Sequence, residues 1–65
     1  MVVLTWQARI EKDLTLKQLE ALTGIGKTTL NNIENGLVSP TLRQLEVIAS
    51  ALGTTISKLY ESEYK

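Results

Sequence analysis

The stretch Thr15–Ile33, TLKQLEALTGIGKTTLNNI, decides how this chain folds. Thr15 has the side chain of a helix N-cap, and Gln18, three residues on, completes a capping-box signature. Leu16, Leu19 and Leu22 then recur at helical spacing. Gly24 is the residue expected where a helix ends in a left-handed conformation. Ile25 is expected to drop into the core at the bend. A second helix starts near Lys27, runs to about Asn35 and is closed by Gly36. It turns Leu30 and Ile33 inward and Lys27, Thr28, Asn31 and Asn32 outward.

The flanking segments extend this helical pattern. After Pro40, Thr41 and Gln44 repeat the capping-box signature. Leu42, Leu45, Ile48, Ala49 and Leu52 follow as an apolar stripe at helical spacing, read as core. Gly53 ends that helix, and Thr55 is expected to cap a last short one over Ile56 to about Tyr60, with Ile56 and Leu59 closing the core. At the other end a helix is expected over Thr5–Lys12 with Thr5 as N-cap. Asp13 would end it, since Asp tolerates the left-handed region better than most residues, and Leu14 then turns inward. Met1–Leu4 is apolar and β-branched and supports two readings: a packed or frayed terminus, or a strand pairing with the tail from Tyr60 to Lys65. The expected fold is all-α, a compact five-helix bundle forming one domain over residues 1–65.

Sixty-five residues allow one small core. No Cys is present, so neither disulfides nor thiolate metal sites enter, and a reducing cytoplasm is the expected setting. No His is present, which removes the commonest general base and metal ligand. No apolar run approaches the ~20 residues that span a bilayer, and Met1–Leu4 is too short for a signal peptide. Neither a nucleophile–base pair nor a metal cluster stands out, so catalysis, a cofactor and a small-molecule ligand are not expected. The run Gly24-Ile25-Gly26-Lys27-Thr28-Thr29 only superficially resembles a phosphate loop: it lacks the four-residue gap between glycines. Seven basic and seven acidic residues cancel. Their distribution is uneven, since Glu34 is the only acid between Lys27 and Gln44, leaving one face free to be positive.

From about Arg9 to Tyr60 the chain resembles the phage-repressor and Cro type of helix-turn-helix domain, also called the XRE type. An ordered set carries the resemblance: Arg9, Leu14-Thr15, Leu19, Gly24-Ile25, Thr29-Leu30, Ile33-Glu34-Asn35-Gly36, Ser39-Pro40-Thr41-Leu42, Leu45, Ile48-Ala49, Ala51-Leu52-Gly53 and Ile56. It implies that the two helices of the opening stretch form the helix-turn-helix, with the second laid in the DNA major groove. Lys27, Thr28 and Asn32 fall on the family's base-reading positions, with Asn31 beside them. Lys can donate to guanine O6 and N7, Asn can bond adenine N6 and N7, and Thr can touch a thymine methyl. Lys17, Thr29, Asn35, Thr41 and Arg43 are the expected phosphate contacts, with the backbone N–H groups of the loop after Asn35. Arg9 and Glu34 match a buried ion pair, whose alternative is two solvated charges. Ile56, Leu59 and Tyr60 would form a homodimer surface, and Trp6 belongs to the core or to that surface.

The chain also departs from the family pattern. Asp13 replaces a common Gly or Asn, and Leu16 stands where many members carry a phosphate-touching Gln. Glu20 stands where a small Ala is usual; its carboxylate is expected to reach the free N–H groups of Lys27 and Thr28. Leu37 and Val38 replace basic loop residues, exposing apolar surface that suits a protein partner. The expected function is sequence-specific binding of double-stranded DNA by a transcriptional regulator, a repressor acting as a homodimer on a palindromic operator. The alternatives are an autorepressing antitoxin of a toxin–antitoxin pair, and a protein-interaction module that has lost DNA binding.

Overall fold

A computed structural model describes residues 1–65. Four α-helices carry the fold: α1 (Thr5–Glu11), α2 (Leu16–Thr23), α3 (Lys27–Glu34) and α4 (Leu42–Leu52). A 3₁₀ turn spans Ile56–Lys58. Strands β1 (Val2–Val3) and β2 (Tyr60–Glu61) pair antiparallel, Val2 opposite Glu61 and Val3 opposite Tyr60. The expected fifth helix is therefore this single 3₁₀ turn. The chain must leave it extended at Tyr60 to reach β1, and Leu4 N–H donates to the Leu59 carbonyl at 2.7 Å. Of the two readings of the N-terminus, the strand pair is the one formed, and it ties the two chain ends together.

Both capping boxes form. Gln18 N–H donates to Thr15 Oγ1 at 3.0 Å while Thr15 N–H donates to Gln18 Oε1 at 2.8 Å. At α4 the matching distances are 3.0 and 2.9 Å between Gln44 and Thr41. Gly24 closes α2 at φ 75°, a left-handed value that suits a residue without Cβ. Asp13 holds φ 57°, the expected left-handed stop after α1.

Leu19, Leu30, Leu45, Ile48, Ala49, Leu52 and Leu59 form the core, and Ile33 is equally buried. Ala8, Leu14, Leu16, Ile25, Ala51 and Ile56 pack around it, so Ile25 enters at the bend as expected. α2 lies against both α3 and α4, and α1 touches both from the other side. No helix is long and apolar enough to cross a membrane.

Some expectations need correction. Leu42, read as core, is 75% exposed, and Leu22, at the helical spacing of Leu16 and Leu19, is 59% exposed. Leu22 sits in the last turn of α2 and Leu42 in the first turn of α4. There the helical stripe continues past the neighbour that would cover it. Trp6, 49% exposed, lies at the surface, the second of the two places expected for it. Thr5 is not an N-cap: Leu4 takes that place without a side-chain bond, and Thr5 is the first helical residue. Thr5 is almost fully buried, with its hydroxyl unpartnered. Leu59 is fully buried and Ile56 packs on the core, as expected of residues that close it, and this burial takes Leu59 off the dimer surface on which the resemblance also placed it.

Candidate nucleic-acid interface

α3 has two unlike sides. Leu30 and Ile33 are buried on its back, and Glu34 is turned the same way. Positions 30, 33 and 34 recur at the spacing that places residues on one helical face. Thr28, exposed, and Asn32, half-buried, lie on the opposite face, and Lys27 and Asn31 are exposed on the flank between the two. Asn32 is partly covered because the chain folds back after α3. Leu37 N–H donates to the Asn32 carbonyl at 2.9 Å and Val38 N–H does so at 3.4 Å.

That return has a further consequence. Gly36 N–H donates to the Ile33 carbonyl, and Asn35 N–H to that of Asn31. The loop N–H groups from Asn35 to Val38 are thus used internally. They are not the free phosphate ligands expected from the sequence, because the loop closes the end of α3 with its own amides. The Asn35 side-chain amide is exposed and donates to Asn31 Oδ1 at 3.4 Å, a long bond that an outside acceptor can replace.

The orientation of α3 is fixed from behind by Arg9. Its Nε donates to Glu34 Oε2 at 2.6 Å and its Nη2 to Oε1 at 3.0 Å, a bidentate pair. Nη1 donates to the Leu14 carbonyl at 2.7 Å. One guanidinium therefore joins α1, the turn before α2, and the end of α3. The side chains of Arg9 and Glu34 are 10% and 3% exposed, so the pair is not two solvated charges. The Glu34 hydrogen bond raises the Arg9 pKa above its ordinary value, against the opposing effect of burial. A raised folded pKa contributes stability below the unfolded value that is lost as pH rises through the folded one. Both values are strongly alkaline, so Arg9 stays charged across the physiological range.

The front end of α3 is also held from outside. Gly26 offers no capping side chain, and Glu20 Oε2 accepts from Lys27 N–H at 2.8 Å. The carboxylate replaces a cap at the positive end of the helix dipole. Of the two amides expected to receive it, only that of Lys27 does.

The other expected phosphate contacts are spread over α2, α3 and α4. Lys17 is exposed in the first turn of α2, and Thr41 and Arg43 are exposed at the start of α4. Thr29 is half-buried on the flank of α3. The Thr41 capping box satisfies the amides of Thr41 and Gln44 and leaves those of Leu42 and Arg43 open, as first-turn amides have no partner within their own helix. With Glu34 neutralised by Arg9, Lys27 and Arg43 stand exposed on the segment that has no other acid before Glu46.

These features define a helix-turn-helix unit, α2–turn–α3, with a rigid back and an open polar front. A family model described as Helix-turn-helix, HTH_3, matches residues 7–59. The chain belongs to that family, the XRE type, a class of DNA-binding transcription regulators. Among solved structures it is similar to "The N-terminal DNA binding domain of SinR from Bacillus subtilis", at 27% identity. That match covers 94% of this chain and 90% of the other, with a TM-score of 0.81. No curated protein matches the chain.

Proposed function

We propose that this protein is a sequence-specific regulator of transcription that binds double-stranded DNA with α3 in the major groove. It acts as a repressor, by occupying its operator as a homodimer. The observation that carries the reading is the asymmetry of α3: a back locked by Leu30, Ile33 and the Arg9–Glu34 pair, and a front on which Lys27, Thr28 and Asn31 stand exposed. A rigid helix with free donors and acceptors can read base edges. The likeness to the SinR DNA-binding domain supports the same reading.

In the roles proposed, Lys27, Thr28, Asn31 and Asn32 read bases. Lys17, Thr29, the Asn35 amide, Thr41 and Arg43 hold phosphates, Arg43 beside the open amides of α4. Two copies would seat their α3 helices ~34 Å apart in successive major grooves. Selection of bound sites from random duplex DNA at fixed salt tests this. A palindromic site, bound with an affinity that falls steeply with salt, is the expected result. Binding without sequence preference, or none at low salt, overturns it.

The loop after α3 favours one extension, a protein partner beside the DNA face. Leu37 is 71% exposed and Val38 43%, and Val38 shares a groove with Met1 and Val2, both exposed. Such a partner would suit an autorepressing antitoxin. Loss of partner capture in Leu37→Ser with operator binding intact is the result expected if it exists.

A further inference from the structure

We infer that the outer face of α4, with the last turn of α2 beside it, is the surface on which two copies of this chain meet. This deepens the homodimer proposed above by naming its face, and it places that face away from Leu59 and the tail.

Leu22 and Leu42 follow the helical apolar pattern, yet nothing in their own chain covers them. They border the same helix face. Leu22 lines a shallow groove with Arg43, Glu46, Val47, Ser50 and Ala51. Leu42 immediately precedes Arg43 and lies one turn before Glu46. The apolar floor of the groove is thus open at Leu22, Val47 and Ala51, and Leu42 extends it toward the start of α4.

Charge complementarity identifies the occupant. Arg43 and Glu46 stand one turn apart on this face, and neither has an ion-pair partner in the chain, whose salt bridges are Arg9–Glu34 and Lys65–Glu61. A face carrying one cation and one anion matches itself when a second copy is related by a two-fold axis. In an antiparallel meeting of two α4 helices, Arg43 comes opposite the second copy's Glu46 and Glu46 opposite its Arg43. Arg43 has five N–H donors, so a carboxylate across the interface and a DNA phosphate can share it.

Sedimentation equilibrium of the full chain without DNA tests the inference, with helicity by circular dichroism as the check on folding. The wild-type chain is expected to be a dimer. Glu46→Arg and Arg43→Glu each place like charges opposite one another and should weaken the dimer about tenfold or more. The double variant R43E/E46R restores opposite signs and should return the dimer toward wild-type strength. Leu22→Ser should weaken it without altering the charges. A wild-type monomer, single variants that dimerise like wild type, or a folded double variant that stays weakened would each overturn the inference. The functional reading fails separately: a monomer that still binds a half-site leaves DNA reading intact and removes this interface, and a dimer that ignores duplex DNA does the reverse.

Discussion

α2 and α4 begin in the same way, and α3 begins differently. Thr15–Gln18 and Thr41–Gln44 are closed capping boxes, each made within its own first turn. α3 follows Gly26 with no side-chain cap, and its first amide, that of Lys27, takes its acceptor from Glu20, seven residues earlier on another helix. Its far end is likewise tied to another element, through Glu34 and Arg9. The two supporting helices define their own starts, while the helix that faces outward is held at both ends by neighbours. A reading helix must sit in one orientation relative to the rest of the molecule, and contacts between elements set orientation where local caps cannot.

Removing the tie at the end of α3 is the strongest way to break that contrast. Glu34→Ala would leave the Arg9 guanidinium buried without its partner, with an expected loss of ~3–5 kcal/mol by denaturant unfolding. A loss comparable to that of a surface pair would show that α3 is not held from behind. The front of α3 comes next. Asn32→Ala is expected to cost ~1–3 kcal/mol on a selected operator and to relax preference at one base pair. Lys17→Ala should instead weaken all sequences alike and lower the salt slope. Identical effects of the two changes on specific and random DNA would sink the assigned roles.

Thr5→Val sharpens the contrast at α1, the other helix without a side-chain cap. It replaces a buried hydroxyl that has no partner by a methyl of the same shape, and should raise stability by ~1 kcal/mol. A fall in the melting temperature would mean that the hydroxyl is satisfied. Thr15→Ala and Thr41→Ala each remove a box and should lose ~1 kcal/mol in thermal unfolding. The smallest effect is expected at Glu20. Glu20→Ala should lose ~0.3–1 kcal/mol, and Glu20→Gln less, because it keeps an acceptor for Lys27 N–H. Equal losses in the two variants would assign the contact to charge alone.

Much of the candidate site was legible because its signals are local or come as a matched pair. Thr15, Gln18, Thr41 and Gln44 announce caps within four residues, and Gly24 and Asp13 sit where left-handed stops form. Arg9 and Glu34 were readable through the family resemblance, which places both at once. What escaped was coverage. Leu22 and Leu42 obey the helical period, but the period tells which face a residue occupies and not whether a neighbour lies over it. The loop amides escaped for a related reason: their return to the Asn32 and Ile33 carbonyls depends on the path of the chain after α3.

The sequence by itself determined the helix order, the starts of α2 and α4, the left-handed stops and the identity of the core residues on α3. Each of these follows from side chains a few positions apart, acting on their own backbone. Only the tertiary structure decided which amide of α3 receives the Glu20 carboxylate, that the loop amides turn back onto the end of α3, that Thr5 lies inside its helix, and that of the two readings of the termini the strand pair forms. Those outcomes rest on how packed elements meet and on the path of the chain between them, and not on the local preference of any one of them.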